Sequence, residues 1–412
     1  MNLVNGKILS QSECGAVLDT LEVRILATLQ KPALLPETVI AACNRLVTEL
    51  DAEYFLRRLS ELGISGEMSR RYLAQAQESF CAEALRERLN TELGEDRKNI
   101  RPLGTLFHIA AGNADGLPVF SVLEGLLAGN INILKLPKEE GGLSVELLLS
   151  LIAAEPRLAE YIYVFDYSSS DITNIARLIN VADAVVVWGG DGAVSALRRT
   201  VPPNTRIIEW GHKVSFGYVT QAGLTDDALR GLAQNIAETG QLLCNSCQGI
   251  FVDTGDFSAV NAFCERFLPI MEAESAKIPH STEVGYLSQL TLELYTAELE
   301  TPLTGNRVFR GKNCGLIAKP SGAAESSPAM GISWVKPLPR AEILQTLLPH
   351  KNHLQTVGLV CAADEAAALR EVFWRTGVVR CCSGRDMSRF TALLPHDGER
   401  PLVRYTKIVA TD

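Results

Sequence analysis

The sequence predicts an α/β protein in which two successive strand–helix alternations follow an N-terminal helical segment. Residues 14–95 repeat apolar side chains at three- and four-residue spacing, the period of a helix face. From Pro102 onward, short apolar runs that end in glycine-rich turns alternate with amphipathic segments, the pattern of a doubly wound parallel sheet. A second alternation of the same kind occupies residues 214–380. At 412 residues the chain is long for one core and fits two or three domains.

Taken in order, Pro36 with Glu37 behind it suits a first helical turn. The apolar series Ile40, Cys43, Leu46, Val47, Leu50, Phe55, Leu56, Leu59 and Leu62 follows it, and Tyr72, Leu73, Ala76, Phe80, Leu85 and Leu89 continue it. These helices are expected to cover one side of a domain. Gly104 to Gly112 reads as a buried strand ending in a glycine-rich turn. A helix over Leu117–Ala128 is closed by Gly129-Asn130 in the left-handed way, and Ile131–Leu136 is the next strand. This is a strand–helix–strand unit of a parallel sheet, which binds ligands at the carboxyl ends of its strands. A helix over Ser144–Ala154, a strand over Tyr161–Phe165 and a helix from Ser170 or Asp171 to Asn180 come next. The apolar strand Val181–Trp188 then turns through Gly189-Gly190-Asp191-Gly192 into a helix over Ala193–Arg199, and Thr205–Glu209 is a strand. No GxGxxG occurs. The Gly-Gly-Asp-Gly turn at a helix start is the nearest substitute for a phosphate-binding loop, and it also reads as a plain turn.

In the second alternation, Ser215–Val219 is a strand and Asp226–Thr239 a helix with Leu229, Leu232, Ala233, Ile236 and Ala237 on one face. Gly249–Val252 is a strand and Phe257–Met271 a helix. The stretch Pro279–Pro328 reads as loops and short elements. Val357–Cys361, Asp364–Arg375 and Gly377–Cys381 follow as strand, helix and strand, and Arg400–Val409 reads as a closing strand.

Composition narrows the function classes. Hydrophobic residues make up 47% and charged residues 21%, an ordinary globular balance. The net charge of −9 argues against general nucleic-acid binding, which needs a basic footprint. No apolar run approaches the length of a membrane span. Met1–Leu9 lacks a basic segment followed by an apolar one, so no signal peptide is expected. The 10 cysteines are scattered, the pattern of reduced thiols in a cytoplasmic protein. Cys244 and Cys247 form a lone CxxC with no second pair, and Cys381-Cys382 are adjacent, so no metal site is expected.

The chemistry centres on Gly240-Gln241-Leu242-Leu243-Cys244-Asn245-Ser246-Cys247. It reads as a helix stopped by glycine, a short polar turn and a strand. A cysteine on such a turn is partly exposed and sees backbone N–H groups, conditions that favour a reactive thiolate. A nucleophilic cysteine also needs an oxyanion donor and a partner substrate.

Several ordered motifs resemble the acyl-CoA reductase family, a branch of the aldehyde dehydrogenase superfamily whose best-known member is the reductase subunit of the bacterial bioluminescence fatty-acid reductase complex. They are His108-Ile-Ala-Ala-Gly-Asn113, Gly116-Leu-Pro118, Gly125-Leu-Leu-Ala-Gly-Asn130, Leu134-Lys-Leu-Pro137 and Val186-Val-Trp-Gly-Gly-Asp191. Glu209-Trp-Gly-His-Lys213 is similar to the glutamate motif of aldehyde dehydrogenases, and Cys244 follows it at about the family spacing. Arg404-Tyr-Thr-Lys-Ile408 resembles the strand that closes such chains. The likeness runs from about residue 102 to the C-terminus.

The resemblance implies an aldehyde dehydrogenase-like fold. Its parts would be an N-terminal helical region (1–100) packed on a Rossmann-like NADP-binding domain (101–213), an α/β catalytic domain (214–395) and a C-terminal bridging strand (396–412) within a small oligomerisation element. It implies Cys244 as nucleophile, Asn113 with the Cys244 N–H as oxyanion donors, and Glu209 at the superfamily's general-base position. On the cofactor side it implies Lys135 on the adenosine ribose and Gly189, Gly190 and Asp191 near the pyrophosphate. Lys138 stands where NAD-preferring members often carry glutamate, and a lysine there attracts a 2′-phosphate, so NADPH is expected over NADH. The implied reaction reduces an acyl thioester, carried on CoA or on an acyl-carrier or acyl-transferring protein, to an aldehyde in a homo-oligomer. An acyl-phosphate reductase of the γ-glutamyl phosphate type and a non-catalytic cofactor-binding scaffold are the competing readings. Cys247 reads either as a resolving thiol or as a space-filling residue, His108 as a strand residue near the cofactor crevice, His212 as a turn residue or a neighbour tuning Glu209, and His396-Asp397-Gly398 as a loop at the site's mouth.

Overall fold

The computed structural model describes residues 1–61, 66–95, 97–110, 112, 116–137, 142–278 and 283–410, with Glu67 and Met68 described by backbone alone. The chain divides into two compact units, residues 1–211 with 390–412, and residues 212–389. The N-terminal helices and the closing segment thus share a unit with the first sheet. The last boundary falls at Phe390, six residues before the expected His396.

The first unit opens with a hairpin that the sequence reading missed, β1 (Asn2–Val4) and β2 (Lys7–Leu9). Its turn is Asn5-Gly6, with φ of 50° and 71°. Both are left-handed, as the favoured two-residue hairpin turn requires. Five helices follow: α1 (Gln11–Leu29), α2 (Pro36–Glu49), α3 (Ala52–Glu61), α4 (Gly66–Phe80) and α5 (Ala82–Leu93). The strand β3 (Ile100–Pro102) leads into the alternation β4 (Thr105–Ile109), α6 (Leu117–Leu127), β5 (Ile131–Lys135), α7 (Leu143–Ala154), β6 (Ile162–Phe165), α8 (Ile172–Asn180), β7 (Ala184–Trp188), α9 (Asp191–Thr200) and β8 (Arg206–Trp210). The sheet order is β2-β1-β6-β5-β4-β7-β8. The strands from β6 to β8 are parallel, and β1 joins β6 antiparallel. The winding reverses between β4 and β7, so the crevice of this sheet opens at their carboxyl ends. Leu106, Phe107, Ile133, Leu134, Val185 and Val186 are fully buried, and Leu21, Ile40, Cys43, Leu85 and Leu89 from the N-terminal helices join the same core. Gly125 lets α6 lie close on β5, since a Cβ there would sit 1.8 Å from Asn132 Oδ1.

The second unit contains β9 (Val214–Val219), α10 (Asp226–Thr239), β10 (Cys247–Val252), α11 (Phe257–Ser275), α12 (Val284–Thr304), β11 (Arg307–Arg310), β12 (Gly315–Ala318), β13 (Ile332–Pro337), α13 (Ile343–Leu347), β14 (Leu354–Val360), α14 (Ala366–Arg375) and β15 (Arg380–Ser383). The order is β11-β12-β13-β10-β9-β14-β15. Among the described residues of this sheet, only the β11–β12 pair is antiparallel. At the carboxyl ends of these strands, Arg340 donates to Asp253 Oδ2 (3.0 Å) and Glu365 Oε1 (2.6 Å), while Thr220 Oγ1 donates to Glu365 Oε2 (2.6 Å). The hydrogen bonds from Thr220 and Arg340 hold the Glu365 carboxyl down at about 2.

The expectation of loops and short elements over Pro279–Pro328 is corrected. Pro279–Thr282 lie outside the described residues, but the stretch beyond them holds the long helix α12 and the strands β11 and β12. The helix escaped notice because it is apolar on more than one face. Leu290 and Leu294 are buried, whereas Leu292, Tyr295, Leu299 and Leu303 are exposed, so no clean amphipathic period emerges. The closing segment is also corrected. Residues of the expected strand Arg400–Val409 form a short helix, α15 (Pro401–Arg404), and a strand, β16 (Thr406–Ile408), which pairs antiparallel with β3. Pro401 lacks the N–H that a strand would need and suits the first turn of a helix.

A buried polar cluster ties these parts of the first unit together. Arg88 on α5 pairs with Glu92 and with Glu124 on α6, all with side chains at most 7% exposed. Glu92 Oε2 also accepts the Leu402 N–H of α15 (2.8 Å). His108 in β4 is fully buried. Its Nε2 donates to Asn132 Oδ1 (3.0 Å) and its Nδ1 accepts the Ser121 hydroxyl (2.7 Å), which in turn accepts from Trp188 Nε1 (2.9 Å). The Asn132 amide is oriented by its own donation to the Asn130 carbonyl (2.7 Å), which fixes the neutral histidine tautomer. Burial pushes the His108 pKa down to about 4. His108 is thus a satisfied core residue.

Two outcomes are expected. Arg88→Ala leaves two buried carboxylates unpaired and lowers stability by about 3–5 kcal/mol, read as a fall in the urea midpoint. The His108 pKa is depressed relative to the unfolded chain, so the unfolded state binds more protons between pH 6.5 and 4. The associated stability is full above that window and is lost on acidification through it, by about 3 kcal/mol. Urea midpoints across the window should fall less steeply in His108→Gln than in the wild type.

Candidate functional site

The nucleophile candidate lies in the second unit, on the turn between α10 and β10. The helix ends at Gly240, with φ of 55°, and Gln241 follows with φ of 61°. A left-handed glutamine carries a steric cost that glycine avoids. Its side chain offsets this. Gln241 Nε2 donates to the carbonyls of Cys247 (3.1 Å) and Gln248 (3.4 Å) and to Ser333 Oγ (3.0 Å). Gln248 Nε2 returns a bond to the Gln241 carbonyl (2.8 Å). Within the turn, the Leu243 N–H donates to Ser246 Oγ (3.1 Å), and the Ser246 N–H to the Leu243 carbonyl (3.0 Å). Ser215 Oγ donates to the Cys244 carbonyl (2.7 Å), and the Cys247 N–H to Asn235 Oδ1 (2.8 Å). Cys244, in no disulfide and partly exposed, is held in this frame.

Cys247 is a different thiol. It is fully buried in the core of the second unit, donates to the Gly249 carbonyl (3.3 Å), and burial pushes its pKa up to about 12. Such a thiol is not ionised near neutral pH, so the environment makes it space-filling rather than resolving. His212 shares a hydrogen bond with Ser326 Oγ (3.1 Å), and its carbonyl faces His353 Nδ1 (3.4 Å), as a turn residue would. Lys213 Nζ donates to the Asn352 carbonyl (2.8 Å). His212, Cys244, Ser326 and His353 all precede or flank the amino ends of β9, β10, β13 and β14.

The other candidates lie in the first unit, along the carboxyl side of its sheet. Lys135 is the last residue of β5 and only 5% exposed, and its Nζ makes no hydrogen bond to a described residue. Desolvation lowers its pKa, and the charge of Asp166 acts in the opposite sense. An amine on a largely buried stem of this kind fits a hydroxyl or anionic ligand. Gly189 and Gly190 follow β7, and Asp191 opens α9 two residues earlier than expected. The Gly189 N–H donates to the Trp210 carbonyl (3.1 Å) and is taken. A Cβ on Gly190 or Gly192 would meet nothing within 4 Å, which leaves room for a ligand against that backbone. Asp191 places a carboxylate in the first turn of α9, where it favours the helix dipole but opposes a second anion. Glu209 on β8 is held by Arg198 of α9 through two bonds, Nε to Oε1 (2.5 Å) and Nη2 to Oε2 (2.8 Å). His396 stacks edge-on against Trp188 and Trp210 with ring centroids 4.8 and 4.9 Å away, over the ends of β7 and β8. Asn113 and Lys138 lie outside the described residues.

The sequence reading missed Gln241, Gln248, Ser327 and Arg198. A glutamine directly after a helix-ending glycine was a local signal for the first. The other three act across the fold and leave no trace in spacing. Among the described residues, no group of three or more His, Cys, Asp or Glu could hold a metal ion, and no helix is long and apolar enough to cross a membrane.

Comparison with known proteins identifies the family and the fold. The family model described as acyl-CoA reductase (LuxC) matches residues 37–408. The long-chain acyl-protein thioester reductase of Vibrio harveyi is 24% identical over 376 residues, 87% of this chain and 77% of that protein. The protein of the same name from Photorhabdus luminescens is 25% identical over 334 residues, 77% of this chain and 66% of that protein. Among solved structures, the NAD-dependent aldehyde dehydrogenase from Sinorhizobium meliloti superposes with a TM-score of 0.77 at 13% identity, covering 99% of this chain and 93% of that one. The glyceraldehyde-3-phosphate dehydrogenase from Methanocaldococcus jannaschii complexed with NADP gives 0.68 at 11%, covering 98% and 94%. The chain therefore has the aldehyde dehydrogenase fold and belongs to the acyl-CoA reductase (LuxC) family.

Proposed function

We propose that this protein reduces a long-chain acyl thioester to the aldehyde, with Cys244 carrying the acyl group and NADPH as the reductant. The observation that carries the reading is a partly exposed cysteine, held on a rigid turn, in a chain of the acyl-CoA reductase family. A thioester carbonyl calls for a soft nucleophile, and a thiolate is the best that side chains offer. Cys244 attacks the carbonyl carbon, and the oxyanion needs donors, for which the family resemblance offers the Cys244 N–H and Asn113, each well-placed donor contributing roughly 3–4 kcal/mol. Collapse expels the carrier thiol and leaves an acyl-enzyme on Cys244. A nicotinamide held beside it would supply the hydride. The thiohemiacetal anion left on Cys244 then collapses to aldehyde and restores the thiolate.

The largely buried Lys135 side chain at the end of β5 fits the adenosine ribose, and the open backbone at Gly190 fits the pyrophosphate. Glu209 supports a reductase over a hydrolase. Its carboxylate is engaged by Arg198 through two bonds, so it is not poised to activate water. The relatives named for acyl-protein thioesters favour an acyl group delivered on a protein, with acyl-CoA as the simpler donor.

Incubation with acyl-CoA or acyl-protein in the absence of cofactor should add one acyl mass to the wild type and none to Cys244→Ala, which should also lose aldehyde formation while still binding NADPH. An unchanged rate in Cys244→Ala would sink the assignment. On the cofactor side, kcat/KM should favour NADPH, and Lys138→Glu should shift the preference toward NADH by about tenfold or more. A wild type that prefers NADH would overturn the role given to Lys138.

A further inference from the structure

The geometry points to Gln248 as a positioning residue that latches the Cys244 turn to the loop before β13, so that this loop sets the reactivity of the thiol. The inference rests on Cys244 being the nucleophile.

Gln248 is the second residue of β10 and 8% exposed. Its amide is used at both ends. Nε2 donates back to the Gln241 carbonyl (2.8 Å), inside the left-handed pair that shapes the turn. Oε1 accepts both the N–H (3.1 Å) and the hydroxyl (2.9 Å) of Ser327. Ser327 Oγ in turn accepts the Ala329 N–H (3.1 Å). Ala329 (φ 63°), Met330 (φ 55°) and Gly331 (φ 69°) are three consecutive left-handed residues, two of them with side chains. Such a backbone persists only where its surroundings over-determine it. Ser326, one residue earlier, holds His212. Gln241 reaches the start of β13 as well, through Ser333 Oγ (3.0 Å).

The turn bearing Cys244 and the Ser326–Gly331 loop are therefore joined by one side-chain amide with no slack. Loss of its donor frees the Gln241 carbonyl and lets the turn relax. Loss of its acceptor partner frees the loop. Gln248 acts on the backbone of the turn, through the Gln241 carbonyl. Its effect is on where the thiol points, and small misplacements of a reacting group carry large rate costs.

The test compares wild type, Gln248→Glu, Ser327→Ala and the double variant. Gln248→Glu keeps the oxygens that face Ser327 and removes the donor to Gln241. Two rates are measured at Cys244 by peptide mass spectrometry: alkylation by iodoacetamide as a function of pH, and single-turnover acylation by hexadecanoyl-CoA without cofactor. Thermal melting reports folding. Gln248→Glu is expected to slow both rates by about tenfold or more. Ser327→Ala is expected to slow them less, by about threefold, and the double variant to be no slower than Gln248→Glu alone, since both act through one latch. If Gln248→Glu fails to fold, the Ser327→Ala rates decide. Rates within about twofold of wild type in folded variants would overturn the latch. A wild type with no acyl mass on Cys244 would overturn the reductase reading itself, and the latch with it.

Discussion

The second unit depends on a pair of left-handed residues, Gly240 and Gln241, that end α10 and redirect the chain into β10. In most α/β sheets the working residues stand where strands give way to helices, at the carboxyl ends. Here Cys244 sits where a helix gives way to a strand. That connection has no helix N-terminus to steady it, and buried amides from Gln241, Gln248 and Asn235 take over the task. The opposite edge of the same sheet is closed by Arg340, Asp253, Glu365 and Thr220. Charged and hydroxyl side chains thus pair with one another at the end where such a sheet usually receives a ligand, and the proposed nucleophile lies at the other.

The first unit keeps the ordinary arrangement. Lys135, Gly190 and Glu209 stand at or near the carboxyl side of β5, β7 and β8, on either side of the β4–β7 reversal. Below them, His108, Ser121, Asn132 and Trp188 form a dry polar chain in which every named group has a partner. Polar groups buried this way favour one packing over its alternatives, because each misplacement leaves an unpaired donor or acceptor.

Much of this was legible in the sequence, and the exceptions have physical causes. The alternation from β4 to β8 was readable because fully buried parallel strands are continuous apolar runs punctuated by glycine. The turn bearing Cys244 was readable because Gly240 stops a strongly periodic helix. The hairpin of β1 and β2 was missed although Asn5-Gly6 announced it, since each strand is three residues long and its apolar surface is confined to Leu3, Val4 and the partly buried Leu9, with the exposed Ile8 breaking the pattern. The helix α12 was missed because its exposed leucines blur its period. The short helix before β16 was missed because Arg404-Tyr405-Thr406-Lys407-Ile408 alternates like a longer strand. At the proposed site, residue identity singled out Cys244, Lys135 and Glu209 as candidates. It did not reveal what holds them, because Arg198 meets Glu209 across a helix–strand crossover and Ser327 meets Gln248 from 79 residues away.

The division of the chain into two cores has an evolutionary consequence. The residues proposed for the cofactor are anchored by side chains of the first unit, and the cysteine turn by side chains of the second. Substitutions in one anchoring network share no partners with those in the other, so their effects should combine nearly independently. A lineage could thus exchange one nicotinamide cofactor for another while the nucleophile's frame stays fixed, or reshape the acyl side without disturbing Lys135. Such modularity makes divergence cheap, and it suits a fold whose members share architecture at identities as low as 11%.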